Sequence, residues 1–212
     1  MKIGIIGTGK LGTNLGKIWA DKGHEILFGS RDPVRAKSLE STLEKDVKGG
    51  TYSEAANFAD VIVLAVPWSA VQESIEEVGD LNGKILIDCT NAVAPKLGGL
   101  LMGHTTSAAE KIAEWAKGAK VVKAFNTLGA ENLADGQILE QGPSTFICGD
   151  DLKAKSVVKE LGIDLGFDVV DAGPLKKARL IEPLAMLWIE LAYNQGLGTC
   201  IAFKLLRRSR KC

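Results

Sequence analysis

The sequence predicts an α/β fold, a doubly wound and mostly parallel sheet followed by a short helical C-terminal segment. Three observations carry this. Short apolar, largely β-branched runs alternate with helical patterns, and a parallel sheet covered on both faces satisfies that alternation. The first run, Lys2 to Gly7, passes directly into Gly7-Thr8-Gly9-Lys10-Leu11-Gly12, and then into a segment with Leu11, Leu15, Ile18 and Trp19 on one helical face. At 212 residues, 46% hydrophobic and 25% charged, the chain can bury a sizeable core in one or two compact units.

The elements follow in order. Lys2-Ile3-Gly4-Ile5-Ile6-Gly7 is continuous rather than alternating in its apolar character, as a fully buried parallel strand requires. After the break at Lys22-Gly23, Glu25-Ile26-Leu27-Phe28 is a second strand, and a helix spans Pro33 to Leu43. Gly49-Gly50-Thr51-Tyr52 is expected as a short third strand, with Ser53 capping a helix through Phe58. Asp60 to Pro67 is a buried strand stopped by its proline. Ser69 and Gln72 have the spacing of a capping box that opens a helix to about Val78. Lys84 to Asn91 is a fifth strand with a polar tip. Pro95 to Thr106 is glycine-rich and without period, and its place beyond the carboxyl end of a strand suits a lid over a ligand. Ser107 and Glu110 form a further capping box, for a helix to about Trp115. Lys120 to Phe125 is the sixth strand and ends in Asn126-Thr127. Ser144 to Gly149 and Asp168 to Asp171 are two more, with a helix from Leu152 to Leu161 between them. From Leu175 to Phe203 the pattern changes. Leu180, Leu184, Trp188 and Leu191 form one apolar stripe, which Ile181 and Leu187 widen. Such a surface needs covering on several sides, and a partner subunit is the expected cover, giving a homodimer. Pro183 either opens a helix there or kinks one. The division expected is a dinucleotide-binding domain over residues 1–174 and a helical segment over 175–212.

The glycines of the first turn have separate physical tasks. In a G-x-G-x-x-G between strand and helix, Gly7 allows the tight turn and Gly9 admits a pyrophosphate close to the backbone. Gly12 lets the helix pack on the strand, so that its free N–H groups and positive dipole end face the phosphates. A site for NAD puts an acidic residue at the tip of the second strand, against the ribose 2′-hydroxyl. Here the tip is Gly29-Ser30-Arg31, with Arg35 one turn further on. A hydroxyl and two guanidinium groups suit a 2′-phosphate, which makes NADP(H) the expected cofactor. Asp32 is placed to neutralise Arg31 locally.

Other chemistry is thinner. Lys plus Arg and Asp plus Glu both number 26, so nothing calls for a nucleic acid or an anionic membrane as partner. The basic run Arg207 to Cys212 reads as a frayed terminus. Cys89, Cys148, Cys200 and Cys212 form no C-x-x-C and no metal-ligand spacing, so no metal is expected, and Cys89 and Cys148 read as buried thiols. The apolar start belongs to the glycine fingerprint rather than to a signal peptide, and no run approaches the ~18 apolar residues of a membrane span. The expected compartment is the cytoplasm. Catalytic residues stay unassigned: His24 reads as structural, and His104 lies in the glycine-rich loop near the presumed mouth of the site. Lys123 and Asn126, at i and i+3 on a strand end, are not expected to act as a pair. Asn126 alone is placed to hydrogen-bond a nicotinamide carboxamide or the acceptor. Lacking an acid–base relay, the site fits hydride passing between nicotinamide and a flavin-type ring, where stacking matters more than a proton carrier. A dehydrogenase of small hydroxy or imino acids and a non-catalytic dinucleotide-binding module remain the alternatives.

Several stretches together resemble the NADP-dependent reductases of the deazaflavin coenzyme F420. They are the fingerprint, Gly29-Ser30-Arg31, Val66-Pro67-Trp68, Ser107-Ala108-Ala109-Glu110, Lys123-Ala124-Phe125-Asn126-Thr127, Cys148-Gly149-Asp150-Asp151, and Asp171 to Leu175 with Arg179-Leu180. More distantly the chain resembles the N-terminal domain of the six-transmembrane metalloreductases. The resemblance implies that Thr8, Gly9, Lys10 and Leu11 cradle the pyrophosphate, and that Ser30, Arg31 and Arg35 take the 2′-phosphate. Val66, Asn91 and Ala130 would line the rest of the NADP site, with F420 or a flavin as co-substrate; Pro67, beside Val66, and Asn126, from its place at the strand end, are also expected to bind the cofactor. Two departures concern the acceptor: the lid is Leu-rich, and Asn126 stands where deazaflavin reductases can carry histidine.

Overall fold

The structure, a computed structural model, describes residues 1–43, 47–133 and 142–208. Its elements are β1 (Lys2–Ile6), α1 (Lys10–Asp21), β2 (Glu25–Gly29), α2 (Pro33–Leu43), β3 (Val47–Gly50), α3 (Tyr52–Phe58), β4 (Val61–Leu64) and α4 (Val71–Val78). There follow β5 (Ile85–Asp88), α5 (Ala108–Trp115), β6 (Lys120–Lys123), β7 (Ser144–Gly149), α6 (Leu152–Asp164), β8 (Asp168–Asp171) and α7 (Ala178–Ile189). One eight-stranded sheet runs β3-β2-β1-β4-β5-β6-β7-β8, the doubly wound arrangement expected. Every pairing is parallel except that of β6 with β7. The strand order reverses between β1 and β4, and it is at the carboxyl ends of such a pair that open α/β sheets form their crevice.

Both faces are covered, which is why the central strands are apolar throughout; in β4 every residue is buried. One face buries Ile3, Ile5, Val63, Ile87 and Val122 with Leu15 and Trp19 of α1 and Val158 and Leu161 of α6. The other buries Ile6, Ile62, Leu64 and Leu86 with Ala55 of α3, Ile75 of α4, Ile112 of α5 and Ile181 of α7. His24 is structural: its Nε2 lies 3.0 Å from Asp164 Oδ2, and its Nδ1 lies 3.2 Å from the amino terminus.

Several boundaries differ from expectation, each for a local reason. The third strand ends at Gly50, and Thr51 rather than Ser53 caps α3. The Thr51 hydroxyl accepts from Glu54 N–H at 3.2 Å while the Glu54 carboxylate accepts from Thr51 N–H at 2.7 Å, a reciprocal box that Ser53 cannot make. The Ser69/Gln72 box does not form. Pro67 sends the chain into a single tight turn, Trp68–Ala70, so α4 starts at Val71 with no side-chain cap. Gln72 instead donates to Glu76 along the helix at 3.2 Å. Ser107 does cap α5, accepting from Glu110 N–H at 3.2 Å. The chain leaves the sheet after Leu64, Asp88 and Lys123, sooner than the apolar patterns of these segments suggest. Pro183 lies inside α7 rather than at its start, and α7 gives way to a wider π-helical turn, Glu190–Asn194.

The apolar stripe of the C-terminal segment is split. The face turned inward is Ile181, Glu182, Ala185, Trp188 and Ala192, while Leu180 stays 68% exposed. Trp188 is buried within its own chain because Gly129 leaves room for the indole; a Cβ at Gly129 would sit 2.9 Å from the ring. The indole N–H donates to the Ile201 carbonyl at 2.8 Å. Part of the basic run, residues 209–212, lies outside the described residues.

Candidate functional site

Where β1 and β4 diverge, Gly7, Thr8, Gly9, Ser30, Arg31, Arg35, Val66 and Pro67 line one cleft of about 330 Å³, with Tyr52, Ala65 and Ala70. The three glycines behave as their spacing requires. Gly7 has φ 116°, and a Cβ there would meet the Ala65 carbonyl at 2.4 Å. A Cβ at Gly12 would meet the Gly7 carbonyl at 2.4 Å, so α1 packs on the strand end only because Gly12 has none. Nothing lies within 4 Å of a Cβ built on Gly9, which is therefore the open wall of the turn. Gly9 is also the N-cap of α1 and supplies no side-chain cap, so the first-turn amides at Lys10, Leu11 and Gly12 are left for an anion. Leu11 turns its side chain into the core, so its backbone is what it offers. Lys10 reaches away to Glu131, Nζ to Oε1 being 3.2 Å.

The tip of β2 carries the positive charge. Ser30 accepts from Asp32 N–H at 3.1 Å through its hydroxyl oxygen, which leaves the hydroxyl proton to donate into the cleft. Arg35 donates from Nη2 to the Thr8 carbonyl at 3.2 Å, tying the basic tip to the glycine turn. Asp32 does not neutralise Arg31. Its Oδ1 caps α2, accepting from Val34 N–H at 3.0 Å and from Arg35 N–H at 3.4 Å. The carboxylate facing Arg31 is instead Glu73 of α4, at 3.5 Å across the cleft mouth. An uncapped helix start, an open glycine wall and a basic rim together suit the two phosphate groups of a 2′-phosphorylated dinucleotide.

At the ends of β5 and β6, Asn91 and Asn126 pair through their amides. Asn91 Nδ2 donates to the Asn126 carbonyl and Asn126 Nδ2 donates to Asn91 Oδ1, both at 2.9 Å. Ala130 accepts from Asn14 Nδ2 of α1 at 2.8 Å, holding the segment after Asn126 against the dinucleotide helix. Lys123 is fully buried beneath, with Nζ 2.9 Å from Asp88 and 3.2 Å from Glu182, and it also donates to the Thr90 carbonyl. Burial alone would depress the Lys123 pKa, but Asp88 and then Glu182 outweigh it and hold the ammonium above its ordinary range. Glu182 in turn accepts from Ala108 and Ala109 N–H at 2.9 and 3.1 Å, so it joins α7 both to the start of α5 and to the sheet.

A larger cleft of about 830 Å³ lies between residues 100–106 and the Pro183, Met186, Leu187 and Glu190 side of α7. His104 lines it. The loop folds back on the strand end that carries Asn91, through a Val93–Leu100 bridge and a bond from Leu101 N–H to the Ala92 carbonyl at 2.7 Å. Lys96, Leu97 and His104 adopt left-handed φ values of 58, 57 and 59°, an uncommon conformation for residues with side chains and one that gathers at ligand sites. Burial disfavours the thiolate at both buried cysteines, pushing Cys148 up to about 12 and raising Cys89 as well.

Sequence reasoning missed Tyr52, Glu73, Asn14 and Glu182. Glu182 had a signal, being a lone charge inside Leu180-Ile181-Glu182-Pro183-Leu184, where burial demands a partner. Glu73 had a weaker one, as an acid in the first turn of the helix after β4.

A family profile described as NADP oxidoreductase, coenzyme F420-dependent, matches residues 2–92. The F420-dependent NADP reductase of Methanothermobacter marburgensis is 35% identical over 210 residues, covering 90% of this chain and 92% of that protein. Metalloreductase STEAP3 of Rattus norvegicus is 32% identical over 212 residues, covering 97% of this chain but only 42% of its own length. A crystal structure from Arthrobacter sp. FB24, given a provisional F420-dependent NADP reductase description, superposes with a TM-score of 0.88 at 31% identity, over 98% of this chain and 100% of that one. With sequence and fold similar over nearly the whole length, this chain belongs to the family of F420-dependent NADP reductases.

Proposed function

We propose that the protein is an oxidoreductase that moves hydride between NADP(H) and coenzyme F420. The observation that carries this reading is the 35% identity to the M. marburgensis reductase over 92% of that protein. Bound NADPH supplies the hydride from its nicotinamide ring, and the chain's own groups do the rest. The amides from Gly9 to Gly12, with Thr8, Lys10 and Leu11, hold the pyrophosphate. Ser30, Arg31 and Arg35 hold the 2′-phosphate through charge-assisted bonds. Val66, Pro67, Asn91, Asn126 and Ala130 line the path to the nicotinamide. Leu100, Leu101, Met102 and Leu187 form an apolar wall of the larger cleft that would exclude water and stack a flat ring. Hydride passing between two rings needs close approach more than a protein proton carrier, so this reading requires no acid–base relay. In this reading residues 1–174 bind the dinucleotide and residues 175–212 complete the acceptor side.

Two further assignments belong to the proposal. The exposed Leu180, Leu187 and Leu197 support a homodimer formed through the C-terminal segment, with Trp188 as interior support rather than contact. The cytoplasm is the proposed compartment, since Cys89, Cys148 and Cys200 are free thiols and no helix of the described residues is long and apolar enough to cross a membrane.

The test follows NADPH consumption by the purified protein with F420, FMN, FAD, or small keto and imino acids. Turnover with F420 is the expected result. The same apolar cleft admits a flavin ring, so FMN and FAD measure acceptor breadth. Turnover with keto or imino acids alone, or tight NADPH binding with no turnover, would replace this reading.

A further inference from the structure

We propose that Tyr52 reads the adenine base of the dinucleotide, its hydroxyl donating a hydrogen bond to a ring nitrogen of that base. The proposal rests on the NADP(H) reading above. Its starting point is a polar group that the fold buries and leaves unpaired. Tyr52 is 5% exposed, and its hydroxyl has no hydrogen-bond partner among the described residues. The unpaired oxygens of Ser74, Asn126 and Thr145 are fully enclosed; that of Tyr52 is not, and Tyr52 lines the cofactor cleft. A tyrosine buried this deeply ordinarily finds a partner for its O–H, and a group bound in the cleft is the partner left to it.

A short series of backbone constraints puts the phenol there. Ser30 N–H donates to the Gly50 carbonyl at 3.0 Å, which sets the end of β3 beside the tip of β2. Thr51 caps α3, so Tyr52 is the first residue of that helix. Gly29 makes the close approach possible, since a Cβ there would come 3.1 Å from Tyr52 Cα and 3.0 Å from the Thr51 carbonyl oxygen. Tyr52 is thus rooted beside Ser30, in the wall of the cleft.

The two unlike sides of the cleft select the base. Arg31 and Arg35 are exposed at its rim, where guanidinium groups can meet a doubly charged phosphate. Tyr52 belongs instead to the buried apolar cluster that contains Ile6, Val66 and Ala70. A phosphate set against that cluster would lose its hydration, whereas a flat heteroaromatic ring buries its faces there at little cost. At about 330 Å³ the cleft is at the small end of ligand sites and takes one end of the dinucleotide. With the 2′-phosphate at the rim, the group on the same ribose that needs an apolar wall is the adenine. Its ring nitrogens accept, and the Tyr52 O–H donates. One such bond on a wall that otherwise offers only packing fixes which edge of the base turns inward, and so makes the site selective for the base.

The test uses adenosine 2′,5′-bisphosphate, which carries the base and both phosphates of this end. It is compared with its 1-deaza, 3-deaza and 7-deaza forms, each with one ring nitrogen replaced by C–H. By calorimetry the wild-type protein should bind one deaza form about five- to tenfold more weakly than the parent, and the other two within about twofold of it. Tyr52→Phe, which keeps the ring and its packing, should weaken the parent by the same factor and leave that deaza form unchanged. It should also weaken NADPH and NADH equally, because the base is common to both. Thermal melting should show the variant as stable as the wild type, since the hydroxyl bonds nothing within the fold. Wild-type affinity equal for the parent and all three deaza forms would overturn the proposal. A Tyr52→Phe loss confined to NADPH would overturn it too, because the hydroxyl would then serve the 2′-phosphate. The wild-type ranking stands without any variant. If the parent binds and Arg31→Ala weakens it while the ranking is flat, only this proposal falls; if the parent does not bind, the NADP(H) reading falls with it.

Discussion

Glu73 is the acidic residue at the mouth of the cofactor cleft, and replacing it by glutamine should tighten NADPH binding. In the structure its Oε2 sits 3.5 Å from Arg31 Nη1, with the two side chains 63% and 58% exposed. At such exposure the pair adds at most about 1 kcal/mol to stability, so Glu73→Gln should leave the fold alone. Its cost falls on the ligand. A 2′-phosphate held by Arg31 brings nearly two negative charges to within roughly 6 Å of the Glu73 carboxylate. In water-like dielectric that repulsion is about 1.2 kcal/mol, and salt at physiological strength roughly halves it. Freeing Arg31 from its competing partner adds a similar small amount. The gain expected for NADPH is therefore about 0.5–1.5 kcal/mol, a two- to tenfold tighter Kd. NADH lacks the phosphate and should change less than twofold. Calorimetry at two salt concentrations checks this, because the gain should shrink as salt rises. The companion variant Arg31→Ala should weaken NADPH about tenfold and spare NADH, the half-exposed setting placing the loss at the lower end of charge-assisted bonds. Glu73→Gln with unchanged NADPH affinity, or with NADH improved equally, would refute the reasoning.

Other consequences follow from the buried and partly buried charges. Lys123→Met strands two fully buried carboxylates and should cost about 3–5 kcal/mol, read as a fall in Tm of about 6–20 °C by calorimetry. If the C-terminal segment forms a dimer, light scattering should give twice the 22.5 kDa chain mass. Leu180→Glu should then halve that mass without unfolding, whereas Trp188→Glu should unfold the chain, since Leu180 is 68% exposed and Trp188 is 4% exposed. The bidentate Arg179 guanidinium, at 2.6 and 2.8 Å, followed by the Ser107 hydroxyl, holds the Glu110 carboxyl below its ordinary range despite partial burial. A depressed carboxyl pKa stabilises the fold above the unfolded value, near ~4.3, and that stabilisation is lost as pH falls through the folded value. Denaturant melts between pH 7 and 3 should therefore fall more steeply below pH ~4.3 in the wild type than in Glu110→Gln.

Most of the sheet and the glycine turn with its basic neighbour were legible because they rest on local rules. A short β-branched run bounded by turn residues fits a strand buried on both faces, and Gly7 and Gly12 mark positions where a Cβ has no room. What local pattern could not show was choice between neighbours. Thr51 and Ser53 both precede the third helix, and only the reach of Glu54 back to Thr51 N–H decides the cap. Asp32 and Glu73 are both acidic, and only the turn after Ser30 spends Asp32 on the helix and leaves Glu73 facing Arg31. The apolar stripe on α7 failed for the same reason. Its period was right for a helix, but which side faces inward depended on where Glu182 could find donors.

Those donors explain how the two halves of the site are joined. A carboxylate in the middle of an apolar helix is tolerated only where several partners converge on it. Glu182 finds the free amides of Ala108 and Ala109 at the start of α5 and the ammonium of Lys123. Lys123 is held in the sheet by Asp88, whose Oδ1 also accepts from Thr90 N–H and Oγ at 2.8 Å. Thr90 and Lys123 lead directly to Asn91 and Asn126. One chain of buried charges thus runs from α7, which walls the larger cleft, to the amide pair at the strand ends. Rotation of α7 about its axis would pull Glu182 from its donors, at a cost of several kcal/mol for a stranded buried charge. The wall of the larger cleft and the amide pair at the strand ends are for that reason held in one fixed relation, as the proposed transfer between two stacked rings requires.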